Sequence, residues 1–233
     1  RVGKHLVIDL ASSDRVEAGA GRRSSVDKNS AHVMQKGQWI IHLGMTGSVL
    51  VTDPAAEIEK HTHLIAKLAS GRELRFVDPR RFGRLAVGRE SFAAPGTEPL
   101  DIAFESFAAL FRKRKTPIKS ALLNQKLLSG VGNIYADEAL SRGGIRPRRR
   151  AASLSRAELK KLHTSLRSVL KQAIRAGGSS ISDYVDADGQ RGRFQFHHRV
   201  YGREGQPCQV CKAPIKRVVI AGRSAHYCPK CQR

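Results

Sequence analysis

The first part of the chain alternates between short apolar runs and glycine-containing turns. Residues 1–10, 39–51, 61–68 and 73–77 are rich in β-branched and other apolar side chains, a pattern that is typical of strands. Residues 12–38 are polar and have no period, which predicts a long loop between the first two strand regions. This part of the chain is therefore expected to be mostly β-structure.

The middle of the chain predicts two helices joined by a glycine turn. Thr116 is expected to cap the first helix, with Pro117 at its first position, and the glycine pair 143–144 is expected to end the second. The turn, residues 129–133, lets backbone N–H groups approach a ligand closely, and Asn133 adds a side-chain donor at a helix N-terminus. It is a candidate anion site. The alternative is an ordinary helical hairpin whose glycines serve only the turn.

A third and longer helix is predicted after residue 155. Ser155 and Glu158 have the spacing of a capping box, and the glycine pair 177–178 ends the pattern. The apolar residues between them keep helical spacing: Leu159, Leu162, Leu166, Val169, Leu170 and Ala173. Residues 90–100, which contain two prolines and a glycine, are expected to be a linker.

All four cysteines stand near the C-terminus as two Cys-x-x-Cys pairs separated by sixteen residues: Cys208, Cys211, Cys228 and Cys231. This spacing lets four thiolates close tetrahedrally on one zinc, and residues 216–227 between the pairs can fold as a hairpin with its tip near residues 221–223. Two disulfides are the alternative, but a basic chain without a recognisable secretion signal favours a reducing compartment. Four protein ligands leave no open coordination position, so the predicted zinc is structural.

The charge of the chain narrows the class of partner. The 233 residues include 42 lysines and arginines against 20 acidic residues, a formal net charge of +22 with a pI near 10.7. Such a surface indicates a polyanionic partner, and the absence of a long apolar run in the sequence argues for nucleic acid over an integral membrane role. A ribosome- or RNA-associated zinc protein would share this charge.

Two segments of the β-rich part carry side chains that suit nucleic acid. Arg80 and Arg81 stand beside Phe82; arginine can fork onto phosphate or a guanine edge, and phenylalanine can wedge between bases. The alternative is a structural loop in which Arg80 pairs with a nearby carboxylate. Met45 lies between two glycines that could present it outward, although burial tendencies alone favour a core position.

These separated motifs resemble bacterial formamidopyrimidine-DNA glycosylase, a base-excision repair family, over almost the entire chain. The matching segments, which keep the family's order and spacings, are His-Leu-Gly-Met-Thr-Gly at 42–47, Asp-Pro-Arg-Arg-Phe-Gly at 78–83, Gly-Val-Gly-Asn-Ile-Tyr-Ala at 130–136 and the four-cysteine finger. The sister family, endonuclease VIII, shares the central helices and the finger but lacks the Pro-Arg-Arg-Phe-Gly segment in this form.

The resemblance implies an α+β fold in three parts. Residues 1–98 would be a β-sandwich-like domain, incomplete at its start, residues 99–198 a helical domain with a helix-two-turn-helix motif, and residues 199–233 a β-hairpin zinc finger. The implied protein is a monomer in the bacterial cytoplasm, associated with the nucleoid, that binds damaged double-stranded DNA and not membranes, with one structural zinc.

The resemblance also implies an activity and its residues. The family removes oxidised purines, formamidopyrimidine and 8-oxoguanine, by base flipping, Schiff-base formation and β,δ-elimination. Met45, Arg80 and Phe82 match residues that enter the duplex at the vacated position. Lys4 and Arg223 match the proton donors of strand cleavage. The remaining matched DNA contacts are His42, His61, Arg81, Arg114 and Asn133, the last of them a phosphate ligand.

One departure concerns the nucleophile. In the family it is the amine of an N-terminal proline followed by glutamate, and this sequence begins well inside the family's first domain. Lys4 is the only side-chain amine that the match carries over from that region. The expectation is a fragment of a normal enzyme, and the alternative is a truncated homologue that binds damaged duplex without cutting it.

Overall fold

The structure is a computed structural model that describes residues 1–11, 36–88, 91–181 and 185–233. Six strands form two three-stranded antiparallel sheets, ordered β1-β2-β6 and β3-β5-β4. The strands are β1 (His5–Ala11), β2 (Lys36–His42), β3 (Ser48–Thr52), β4 (Thr62–Lys67), β5 (Glu73–Val77) and β6 (Arg84–Gly88). The expectation of a loop at residues 12–38 is wrong for residues 36–38, which belong to β2; residues 12–35 lie outside the described residues.

The strand region predicted at 39–51 divides into two strands that belong to different sheets. β2 ends at His42, and β3 begins at Ser48. A turn closes between them, with the N–H of Gly47 donating to the carbonyl of Leu43 at 2.9 Å. A Cβ at Gly47 would lie 2.3 Å from that oxygen, so only glycine fits. The glycines therefore form the crossing between the sheets, with Met45 on the turn.

The described residues after β6 form four α-helices: α1 (Phe104–Phe111), α2 (Ile118–Leu123), α3 (Asn133–Gly143) and α4 (Arg156–Arg175). Their apolar faces meet in one core, in which Leu122, Leu140 and Leu162 are fully buried. The sequence patterns above did not predict α1, although Phe107 and Phe111 place two aromatic rings on its buried face. All six apolar residues predicted for the buried stripe of α4 are buried.

The helix ends follow the sequence in part. Ser155 and Glu158 form the predicted capping box at α4, and Gly144 ends α3 in the left-handed conformation at φ 70°. The predicted start of α2 is wrong by one residue: Pro117 is the N-cap, and Thr116 makes no side-chain cap. The carbonyl of Thr116 instead accepts a hydrogen bond from the N–H of Ala151 at 2.9 Å.

The C-terminal hairpin consists of β7 (Lys216–Ile220) and β8 (Arg223–Tyr227), with its tip at Ala221 and Gly222 as the sequence predicts. The chain ends against the helical part, because the N–H of Arg233 donates to the carbonyl of Gly144 at 3.0 Å. Among the residues that the structure describes, no helix is both long and apolar enough to span a bilayer.

Candidate nucleic-acid interface

A groove of about 920 Å³ lies where the β-rich part, the α2–α3 turn and the finger tip meet. It collects residues that are far apart in the chain. Six of the residues singled out from the sequence line it: Lys4, His42, Met45, Phe82, Asn133 and Arg223. The groove therefore brings together segments whose sequence patterns had to be interpreted separately.

Lys4 reaches the groove from a tight turn at the start of the chain. Val2 and His5 exchange two backbone hydrogen bonds, of 2.9 and 3.0 Å, and Gly3 takes the required positive φ of 57°. The N–H of Gly3 donates to the carboxylate of Glu98 at 2.5 Å, which ties this turn to the segment that precedes α1. Burial in the groove wall, and then repulsion from Arg223, lower the pKa of the Lys4 ammonium.

His42 supports the turn that carries Met45. Its Nδ1 accepts a hydrogen bond from the N–H of Gly44 at 3.1 Å, so the proton of the neutral ring lies on Nε2. Burial lowers the pKa of His42, as do the neighbouring His5, Lys4 and Arg84. Met45 itself is 67% exposed. The core position favoured by burial tendencies alone is wrong, and the outward presentation is confirmed.

The Arg80–Phe82 loop stands beside the same part of the groove. Phe82 is 49% exposed, and the guanidinium carbon of Arg80 lies 4.6 Å from the centre of its ring. Arg81 holds a positive φ of 56°. Within the described ranges, Arg80 forms no ion pair, which removes the alternative of a carboxylate partner. The carbonyl of His61 accepts from the N–H of Asp78 at 3.1 Å, so His61 adjoins this loop without lining the groove.

At the glycine turn, the N-terminus of the following helix, rather than the glycines, offers hydrogen-bond donors to the groove. The N–H of Gly130 donates to Gln125 at 3.0 Å, so it is not free for a ligand, contrary to the sequence interpretation. Asn133 is the first residue of α3, and the first intrahelical bond runs from Ala136 to Gly132. The Oδ1 of Asn133 is buried and has no hydrogen-bond partner among the described residues, while its Nδ2 donates to Ser224 at 3.4 Å. The helix N-terminus therefore opens onto the groove.

A buried ion pair that the sequence patterns missed fixes the finger to the helices. The ammonium of Lys119 lies 2.5 Å from Asp137, and both side chains are fully buried. Lys119 also donates to the carbonyl of Ser224, and Asp137 accepts from the N–H of His226 at 2.9 Å. The sequence hints at this pair only through Lys119, a charged residue among the apolar residues of the buried face of α2.

Two other basic segments contact the protein itself. Arg146 donates to the carbonyl of Pro229 at 3.1 Å, and Arg149 pairs with Glu158, so the basic run after α3 packs against the finger and α4. Arg114 donates to the carbonyl of Leu110 at 2.6 Å and does not line the groove. Its role in DNA binding stays a prediction.

The four cysteines converge as predicted. Their sulfur atoms all lie within 4.8 Å of one another, with Cys211 and Cys228 separated by 3.3 Å and Cys208 and Cys231 by 4.0 Å. A tetrahedral zinc with bonds of about 2.3 Å needs sulfur atoms about 3.8 Å apart, which this cluster matches. The donor set fits one structural zinc.

A second cavity, of about 470 Å³, opens beside the groove and was not found from the sequence. It shares Arg1, Gly130 and Tyr135 with the groove. Its other walls combine apolar side chains such as Ile174 with the carboxylates of Glu98 and Asp186.

A basic groove enclosed by a β-rich part, a helical hairpin and a docked zinc finger defines a nucleic-acid-binding protein. Three family models cover most of the chain: the formamidopyrimidine-DNA glycosylase N-terminal domain at residues 1–85, its H2TH domain at 95–185, and the zinc finger found in FPG and IleRS at 205–233. The chain belongs to the formamidopyrimidine-DNA glycosylase family. The finer domain borders at 98 and 198 stay a prediction.

Relatives and solved structures agree with this membership. The chain is 50% identical to the formamidopyrimidine-DNA glycosylase of Solibacter usitatus over 200 residues, which cover 84% of this chain and 74% of the relative. It is 48% identical to that of Roseiflexus sp. over 206 residues, covering 84% and 76%. The MutM (FPG) protein of Thermus thermophilus matches with a TM-score of 0.78 and 43% identity, covering 85% of this chain and 78% of that one. A complex of Lactococcus lactis Fpg with abasic-site-containing DNA matches with a TM-score of 0.79 and 30% identity, covering 100% and 80%.

Proposed function

We propose that this protein is a base-excision repair DNA glycosylase and abasic-site lyase that removes oxidised purines from damaged duplex DNA. The observation that carries the proposal is the groove itself, because it brings an exposed apolar wedge, two cations and an open helix N-terminus around one space. Family membership supplies the reaction class, and Fpg structures of this fold hold DNA with an abasic site.

Phosphate binding is the first step that the groove supports. Lys4 and Arg223 lie far apart in the sequence, but both bring positive charge to the groove. The N-terminus of α3, together with the side chain of Asn133, offers N–H donors. Arg81, His42 and His61 are proposed as further contacts around this site. These contacts would hold a duplex in register without reading its sequence.

Base flipping is the second step. Extruding a base costs a few kcal/mol and leaves a gap in the stack that must be filled. Met45 and Phe82 are exposed apolar side chains on adjacent loops, and Arg80 lies against the Phe82 ring, so the three are suited to enter that gap. We assign the extruded base to the 470 Å³ cavity, whose wall Tyr135 also borders the groove.

Bond cleavage is the third step. An amine attacks C1′ of the sugar, the glycosidic bond breaks, and the base leaves with its electron pair; the amine loses its protons as the Schiff base forms, and the base and the ring oxygen each take up a proton. Loss of a proton from C2′ then breaks the C3′–O bond, and loss of a proton from C4′ breaks the C5′–O bond, so that both phosphates leave as anions. Lys4 and Arg223 are proposed as proton donors in these steps. The lowered pKa of Lys4 supports its part, because it makes the ammonium a stronger acid. The zinc holds the finger that carries Arg223 and has no chemical role.

The matched relatives are bacterial, and a bacterial enzyme that acts on DNA works in the cytoplasm. The net charge of +22 also supports association with the nucleoid, since non-specific DNA binding scales with the number of phosphates that lysines and arginines neutralise. A monomer is proposed, because one chain supplies all the side chains assigned to the groove.

The experiment measures excision and borohydride trapping on an 8-oxoguanine duplex. Two proteins are compared: the 233-residue chain, and the same chain preceded by a family-type segment that begins Pro-Glu. We expect preferential binding of damaged duplex by both, and excision and trapping only by the second. Equal affinity for damaged and undamaged duplex, with no excision by either protein, would overturn the proposal. If the shorter chain is trapped and Lys4→Ala abolishes trapping, then Lys4 is the nucleophile.

A further inference from the structure

Asp78 is a fully buried carboxylate without a cationic partner in the parts of the chain that the structure describes. Its charge is instead balanced by neutral donors. Oδ1 accepts from the hydroxyl of Thr46 at 2.6 Å and from the N–H of Arg80 at 3.3 Å, and Oδ2 accepts from the N–H of Gly83 at 2.7 Å. Hydrogen bonds to an ionised acceptor are among the stronger ones in proteins.

These donors come from two separate loops. Thr46 follows Met45 on the turn between β2 and β3, whereas Arg80 and Gly83 bracket Phe82 on the loop between β5 and β6. Asp78 therefore accepts hydrogen bonds from both loops, the one that carries Met45 and the one that carries Phe82.

The two loops also touch through their backbones. A Cβ at Gly44 would lie 2.7 Å from the carbonyl carbon of Phe82, and a Cβ at Gly83 would lie 2.5 Å from the ring of Phe76. Glycine is therefore required at position 44 for this approach of the two loops, whereas the glycine at position 83 leaves room for the ring of Phe76 in β5. The carbonyl of Asp78 is itself held by the ring of His63 at 2.9 Å.

The ionised form of Asp78 is the one that the structure favours. Burial alone would raise its pKa, but the hydrogen bonds from Thr46 and from the N–H groups of Gly83, Arg80 and Phe82 outweigh it and lower the pKa. The carboxylate is charged at neutral pH, so each of its hydrogen bonds is charge-assisted.

We propose that Asp78 is a positioning residue that joins the Met45 turn and the Arg80–Phe82 loop into one rigid unit, so that Met45 and Phe82 enter the duplex together. This inference rests on the proposed function, since it concerns how the wedge is held. Two side chains on independent loops would each lose conformational freedom on insertion, whereas a preorganised pair avoids much of that cost.

The test removes one connection and leaves the wedge side chains intact. Thr46→Val deletes the hydroxyl that reaches Asp78 while keeping the side-chain shape. The matched control is Thr52→Val, because the hydroxyl of Thr52 is also buried but has no hydrogen-bond partner in the part of the chain that the structure describes. Thr46→Ser restores a hydroxyl and serves as the rescue variant. Thermal unfolding of each protein shows that it is folded.

Insertion is followed by stopped-flow fluorescence of 2-aminopurine placed beside a tetrahydrofuran abasic analogue in a duplex. We expect Thr46→Val to lower the insertion equilibrium about tenfold, which corresponds to about 1.4 kcal/mol. Thr52→Val and Thr46→Ser should behave like the parent. The salt dependence of affinity for undamaged duplex should not change, because no phosphate contact is removed.

A double-mutant cycle separates positioning from simple loss of stability. In the parent, Met45→Ala and Phe82→Ala should be strongly non-additive, because the pair acts as a unit; in Thr46→Val they should become nearly additive. Unchanged insertion by folded Thr46→Val, or the same coupling in both backgrounds, would overturn the inference. If the parent binds the abasic duplex without any fluorescence change, the wedge role in the proposed function fails and the inference fails with it.

Discussion

The ammonium of Lys119 lies 2.5 Å from Oδ1 of Asp137, and neither side chain is exposed. Lys119 belongs to α2 and Asp137 to α3, while the backbone of β8 accepts from one and donates to the other. A single buried pair therefore joins both helices of the glycine turn to the strand that begins with Arg223. Burial lowers the pKa of Lys119, and the charge of Asp137 opposes that shift.

Breaking this pair should cost far more than breaking an exposed one. Lys119→Met leaves the Asp137 charge buried without its ammonium partner, with only the backbone N–H and the ring of His226 beside it, so we expect the free energy of unfolding to fall by about 3–5 kcal/mol. The control is Arg156→Gln, which breaks an exposed pair with Glu105 and should cost much less, because water screens both charges. Denaturant unfolding of both variants measures the difference. Equal losses of unfolding free energy in the two variants would contradict the prediction that the buried pair contributes more to stability than the exposed one.

The pKa of Lys4 should respond to Arg223. Burial and then the Arg223 charge lower the pKa of this ammonium from its usual value. Removing the charge by Arg223→Gln should therefore raise the pKa part of the way back, since the burial remains. A smaller fraction of the Lys4 side chains would then be neutral at any given pH. An NMR titration of the Lys4 side chain measures the shift, and a pKa that falls or stays constant contradicts the prediction.

DNA affinity should fall steeply with salt. Four basic side chains that the family match places at DNA, Lys4, Arg80, Arg114 and Arg223, are each expected to displace a phosphate counterion, which predicts a slope of log affinity against log salt steeper than about −3. Arg223→Gln should make the slope shallower by about 0.9, whereas Arg156→Gln, whose guanidinium pairs with Glu105, should leave it unchanged. Fluorescence anisotropy over a salt series measures both. A parental slope shallower than about −3 would exclude four such contacts.

Zinc removal should loosen the finger and weaken DNA binding together. A structural zinc contributes on the order of 10 kcal/mol to such a fold, so chelation is expected to unfold roughly the last thirty residues, with loss of the Arg223 contact. Elemental analysis should find one zinc per chain, and amide hydrogen exchange should show faster exchange in β7 and β8 after chelation. Protein purified without chelators that contains no zinc would contradict the site.

The sequence was sufficient for features that depend on local chemistry. The capping box at Ser155, the left-handed Gly144 and the hairpin tip before Arg223 follow from side-chain and backbone preferences within a few residues. The cysteine spacing likewise predicts its own cluster, because two Cys-x-x-Cys pairs have few ways to share one metal. The order and spacing of the separated motifs also predicted membership of the formamidopyrimidine-DNA glycosylase family, which the family models confirm.

Tertiary structure decided the features that depend on distant residues meeting. Met45 has a side chain that usually packs in a core, and only the crossing of two sheets at Gly44 and Gly47 presents it outward. No local pattern shows that Asp78 accepts a hydrogen bond from Thr46, or that Lys119 finds Asp137 in the interior. Buried charges are tolerated only when their partners are in place, and those partners are set by packing, which sequence spacing does not encode.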